Sequence, residues 1–204
     1  MLPSFVTHYF EEERGPFLNV CDISEPQIAS LIETERNAST AFNRFALGEE
    51  FFEFRRAADD LLVESYRKKF HKEPEGRPFY GVLGEFDKTL GMYRDGQKIR
   101  LSVSDFEPDQ ITFMYPDHAH LISYSDSAAP QLFYQLPSGW KQQAFWGQLF
   151  TYQELCDSYS SLGIGDMIES WISRDGWAGC YVEAHIWDRS LRKKHSEQGA
   201  AANP

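Results

Sequence analysis

Residues 79–115, FYGVLGEFDKTLGMYRDGQKIRLSVSDFEPDQITFMY, alternate short apolar runs with turn residues, and they decide how the rest of the chain reads. The runs 79–83, 98–103 and 111–115 are rich in aromatic or β-branched side chains, which suit a pleated surface. Gly84, Asp95-Gly96 and Glu107-Pro108-Asp109 punctuate them, and short turns between short strands favour antiparallel pairing over helical crossovers. The stretch therefore predicts the centre of a mostly antiparallel sheet.

Toward the N-terminus, residues 5–10, FVTHYF, read as a first strand closed by Glu11, Glu12 and Glu13 and by Gly15-Pro16, with 17–20 extending or pairing with it. Asp22 or Ser24 offers an N-cap ahead of Pro26, and Ile28, Leu31 and Ile32 share one helical face, which predicts a helix over 25–36. The clearest helix covers 49–70. There Phe51, Phe54, Ala58, Leu61, Leu62, Ser65 and Tyr66 recur at spacings of three and four, while Glu53, Arg56, Asp59, Asp60, Arg67 and Lys68 fill the other side. Acidic Glu49-Glu50 at its start and basic Arg67-Lys68-Lys69 at its end suit the helix dipole.

Beyond residue 115, two further strands are expected at 121–124 and 131–136. Thr151, with Glu154 three residues on, has the form of a capping box for a helix reaching about residue 161. A helix over 164–173 and a last strand over 180–187 follow, and 196–204 reads as a disordered tail. The expected architecture is one α+β domain over 1–195, with N-terminal helices packed on one face of a mostly antiparallel sheet.

A net charge of -11 argues against a nucleic-acid binder, which needs a basic face to neutralise phosphates. Arg189, Arg192, Lys193 and Lys194 form the local exception and read as a solvated end. Cys21, Cys156 and Cys180 lie far apart with no C-x-x-C pair, so neither a disulfide framework nor a structural zinc site is expected. The N-terminus has no basic start followed by an apolar run, and no stretch of eighteen apolar residues occurs; a cytoplasmic protein without membrane contact is the expectation.

Two strings carry chemistry. In Asp117-His118-Ala119-His120 the histidines are two apart, so on a strand both rings project from one face, although the string also reads as a polar turn. Glu183 and His185 have the same spacing. Were these segments to meet, His118, His120, Glu183 and His185 would offer nitrogen and oxygen ligands suited to zinc or another first-row metal, with Asp117 in support. Residues 140–152, WKQQAFWGQLFTY, are aromatic without a clean period. They either close the core or present Trp140 and Trp146 to a protein partner, since tryptophan dominates binding hot spots.

His8-Tyr9 on the first strand and Tyr181-Val182-Glu183 on the last together resemble the pattern of ADP-ribosyltransferases, whose split sheets carry a histidine or arginine early and a glutamate late. By that resemblance NAD is the small-molecule partner: His8, with Tyr9 beside it, would hold the NAD ribose, and Tyr80 or Tyr115 would stack on nicotinamide. Glu183 would then stabilise the oxocarbenium-like charge that develops as the glycosidic bond breaks. In whole segments, GPFLNVCDIS, residues 79–117 and YVEAHIWD are similar to a group of bacterial proteins of unknown function, a resemblance that implies a bacterial cytosolic origin and no activity. An NAD-handling enzyme, an interaction module and a metal-binding protein are thus the three expectations.

Overall fold

The computed structural model describes residues 2–35, 44–124, 142–174 and 179–201. Five strands, β1 (Phe5–Glu11), β2 (Phe79–Leu83), β3 (Gly96–Ser102), β4 (Ile111–Met114) and β5 (Glu183–Ile186), form one sheet in the order β3-β1-β2-β5-β4. Every pairing is antiparallel. With helices α1 (Glu25–Glu35), α2 (Glu49–Phe70), α3 (Tyr152–Ser158), α4 (Ile164–Ser173) and α5 (Ser190–Ala201), the architecture is α+β, as the sequence predicts.

The last strand enters the sheet between β2 and β4, and its register sets the site. Tyr80 stands opposite His185, which stands opposite Thr112; Val82 stands opposite Glu183, which stands opposite Met114. Because opposed residues share a face and side chains alternate along a strand, Tyr80, Thr112, Glu183 and His185 all project the same way. On the other face Phe79, Phe113, Ala184 and Ile186 join Leu155 of α3 and Ile164 of α4 in the largest apolar cluster. Burying such side chains is the main force holding the layers together.

On the polar face, Leu62 and Tyr66 of α2 pack with Met114, Leu149 and Trp187, and Tyr80 lies against them. Ile28 of α1 packs with Phe45, Phe51 and Phe52, at the start of α2. Between β1 and β2 the ladder is short: only Val6↔Leu83 and Thr7↔Val82 are paired, whereas β1 runs alongside β3 for its whole length. Gly81 permits even that contact, since a Cβ there would meet Val6 Cγ1 at 2.6 Å and the Thr7 carbonyl oxygen at 3.0 Å.

Several elements differ from expectation. The strand expected at 121–124 is part of a 3₁₀ helix, His118–Tyr124. Asp117 starts that turn: its Oδ1 accepts from the Ala119 amide and its carbonyl from the His120 amide, an alternative to strand pairing that a short polar side chain offers. Residues 17–20 add no strand, because Phe17 takes a positive φ of 59° and turns its amide onto His8. Helix α5 continues past Ser196 to Ala201, where the sequence reads as a tail. The strand expected at 131–136 lies outside the described residues. The Thr151 capping box forms as expected, with Thr151 Oγ1 accepting from the Glu154 amide and Glu154 accepting from the Thr151 amide. Among the described residues no helix is long and apolar enough to cross a membrane.

Candidate active site

Arg55 and Asp59 are one helical turn apart on α2, in phase with Leu62 and Tyr66, so the stripe that faces the sheet is polar at one end and apolar at the other. Asp59 is completely buried. Its Oδ1 accepts from the Tyr80 hydroxyl at 2.6 Å and its Oδ2 from Asn19 Nδ2 at 3.0 Å, and Arg55 Nη2 lies 3.4 Å away. Burial alone would raise this carboxyl, but the Arg55 guanidinium and the hydrogen bonds from His118 and Tyr80 outweigh it and hold it well below the usual carboxylate range.

Glu183 is the centre of the arrangement. Its Oε2 accepts from the His118 amide at 2.7 Å, His118 Nδ1 at 2.8 Å and His185 Nε2 at 3.0 Å. Burial opposes ionisation, yet the two imidazoles prevail and keep the carboxyl well below its ordinary value. Burial likewise works against a charged His118, and Glu183 and Asp59 overcome it, raising this pKa. His118 Nε2 stands between Arg55 Nη1 at 2.8 Å and Asp59 Oδ1 at 3.3 Å. For His185 desolvation wins and the pKa falls; with Nε2 donating to Glu183, its Nδ1 accepts from the Thr112 hydroxyl at 3.2 Å, and the hydroxyl oxygen in turn accepts from Trp187 Nε1 at 2.9 Å.

The His118 ring stacks on Tyr80 with centroids 4.4 Å apart, and the Arg55 guanidinium stands 4.7 Å from the Tyr80 centroid. Beside this cluster lies a cavity of about 950 Å³, lined by His8, Tyr9, Arg55, Tyr80, His118 and Glu183 among others. It occupies the place where β1 diverges from β2. His8 fixes that divergence: its Nε2 accepts from the Phe17 amide at 2.9 Å, so Nδ1 carries the proton and donates to the Tyr80 carbonyl at 2.7 Å. Desolvation lowers the His8 pKa to about 4, leaving it neutral.

Of the residues singled out from sequence, His8, Tyr9, Tyr80, His118 and Glu183 line one cavity and His185 bonds to Glu183 directly. His8 has both ring nitrogens engaged by backbone, so it spaces two strands rather than presenting a polar atom to a ribose. Tyr9 accepts the Phe86 amide on its hydroxyl at 2.8 Å. Tyr115 is absent from the cavity: the strand alternation turns it to the opposite face, where it is fully buried and donates to the Gly179 carbonyl at 2.9 Å. His120 does not join His118, because successive residues of a 3₁₀ helix are about a third of a turn apart and i, i+2 side chains diverge; it pairs with Asp117 at 3.1 Å. Asp117 thus supports the turn, and of the four expected ligands His118, Glu183 and His185 come together without His120. Trp146 is 5% exposed within the main core and offers no partner surface; Trp140 lies outside the described residues.

Arg55, Asp59, Asn19 and Thr112 were not legible as site residues. One signal existed: Arg55 and Asp59 continue the Leu62–Tyr66 stripe at i, i+4, i+7 and i+11, so two charges occupy positions that face the interior. No protein-family model, curated protein or solved structure matches the chain.

Proposed function

We propose that the protein cleaves the bond between ribose and nicotinamide in NAD, in the manner of ADP-ribosyltransferases, with Glu183 as the carboxylate that stabilises the positive charge developing on the ribose. The observation that carries this reading is the unequal treatment of the two Glu183 oxygens. Oε2 is tethered by three donors, while Oε1 accepts no hydrogen bond among the described residues and Glu183 lines the cavity. A carboxylate fixed before the reaction needs no reorganisation when charge appears, which is what makes such a group effective in a transition state. Tyr80, held by Asp59, supplies an aromatic wall beside it. The cavity has the size of a site for a nucleotide-sized ligand. The split between β1 and β2 supports the reading through architecture rather than through a free imidazole on His8. Three free cysteines fit a cytoplasmic setting, where the protein would meet NAD.

The test is release of nicotinamide from NAD by metal-free protein, with water or cell-extract proteins as acceptors. Glu183→Gln, which keeps size and hydrogen bonding, is expected to lower the rate by ~100-fold or more, the usual cost of removing one charge-stabilising group. No release by the wild type, or an undiminished rate in Glu183→Gln, overturns the proposal.

A further inference from the structure

The geometry points to a site for one divalent first-row transition-metal ion at His118 Nδ1, Glu183 and His185 Nε2, whose occupancy would switch the NAD-cleaving carboxylate off. The three donor atoms lie within 4.8 Å of one another, all on buried side chains. Glu183 Oε2 stands 2.8 Å from the first nitrogen and 3.0 Å from the second. Ligands bound to one zinc-sized ion at about 2.0–2.1 Å in a tetrahedron stand about 3.3 Å apart. The carboxylate oxygen therefore needs to move from each nitrogen by only a few tenths of an ångström, and the two nitrogens, within 4.8 Å of each other, to close around the ion, for hydrogen-bonded protons to be exchanged for a metal. Two imidazoles and a carboxylate favour zinc, cobalt or iron over magnesium or calcium, which prefer oxygen.

The surroundings also fit. A histidine that ligates through one nitrogen places the proton on the other, and that N–H needs an acceptor. Asp59 Oδ1 lies 3.3 Å from His118 Nε2 and takes its proton once the Arg55 Nη1 donor, 2.8 Å from the same nitrogen, turns wholly to Asp59, and Thr112 Oγ1 lies 3.2 Å from His185 Nδ1. Arg55 is the one opposing charge at the cluster's edge among the groups bonded to His118, and Asp59 balances it. His118 and Glu183 line the cavity, which gives the ion an entry path and leaves a fourth position for water. An ion there neutralises Glu183, so metal binding and stabilisation of a ribosyl cation exclude one another. The inhibitory consequence rests on the NAD reading; the binding itself does not.

Tag-free protein stripped with EDTA and dialysed would be titrated with Zn²⁺ by calorimetry and with Co²⁺ by visible absorbance. One equivalent is expected, with a cobalt band typical of nitrogen and oxygen ligands. His118→Gln and His185→Gln each retain an amide that can donate to Glu183, and each is expected to weaken binding at least ~10-fold. Their thermal midpoints in EDTA report whether either variant is folded, and the wild-type cobalt band needs neither. Absence of stoichiometric binding at micromolar metal overturns the site, as does binding that neither variant alters. Nicotinamide release that is equally fast with and without bound Zn²⁺ overturns the switch. Intact metal binding without any release from metal-free protein overturns the NAD reading alone and leaves the site standing.

Discussion

His8 is buried in its neutral form, and the proton it refuses is a measurable quantity. Its folded pKa is about 4, against 6.5 for a free histidine, with desolvation the main cause. The Tyr80 carbonyl pulls the value up, while His195 of α5, the titratable group that faces it, pushes the value further down. On acidification the unfolded chain therefore takes up this proton first, below pH 6.5, and the folded protein follows only near pH 4. The stability that neutral His8 contributes is complete above pH 6.5 and is lost as pH falls toward 4. At ~1.4 kcal/mol per pKa unit the loss amounts to ~3 kcal/mol. Urea unfolding of wild type and His8→Gln at pH 7 and pH 4.5 checks this: the wild type should lose about 2–3 kcal/mol more than the variant. Parallel losses would show that His8 titrates freely. Nothing in FVTHYF distinguishes a histidine that bridges two strands from one that faces a ligand, because both occupy the same strand position; only the Phe17 amide and the Tyr80 carbonyl, distant in sequence, decide it.

Elements whose stability comes from one period were legible, and those that answer to two periods were not. Helix α2 carries its apolar spacing through six turns, and its boundaries match the expected 49–70. Strand β2 matches residues 79–83, because turn residues close an aromatic and β-branched run. By contrast, HAHLISY alternates like a strand over four residues and only a local Asp117 turn selects the 3₁₀ form. The polar stripe of α2 was hidden by the same arithmetic, since a charge on a helix reads as solvent-facing unless its partner, here Tyr80 or His118, is known. The α3 cap offers a prediction at this scale. Thr151→Ala removes the side chain that accepts the Glu154 amide and should cost about 1 kcal/mol in urea unfolding with an unchanged denaturant slope. Nicotinamide release should be unaffected, as Thr151 does not line the cavity. An unaltered unfolding midpoint would mean that the packing of Leu155 alone holds α3.

For the whole molecule, a ligand that fills the cavity binds the folded chain and not the unfolded one. At a hundred times its dissociation constant it adds ~2.7 kcal/mol, which for a chain of this size raises the thermal midpoint by roughly 5–10 °C. NAD and ADP-ribose are expected to give such a shift at millimolar concentration, and adenosine a smaller one; no shift with either dinucleotide-derived ligand counts against the cavity as their site. The wall of that cavity coincides with the least ladder-bonded join in the sheet. Two ladder pairs and the His8 bridge join β1 to β2, and beyond them the Gly84 amide donates to the Phe5 carbonyl, the Thr7 hydroxyl to the Gly84 carbonyl and the Phe86 amide to the Tyr9 hydroxyl. The five strands form one sheet whose shortest ladder lies at this seam. Slow hydrogen exchange should end abruptly there, with β2 amides directed at β5 outlasting those directed at β1. Val6 and Leu101 on one side of that seam share the largest apolar cluster with Phe79 and Leu83 on the other, so the layer of α3 and α4 beneath the sheet clamps the join that the backbone leaves sparsely bonded.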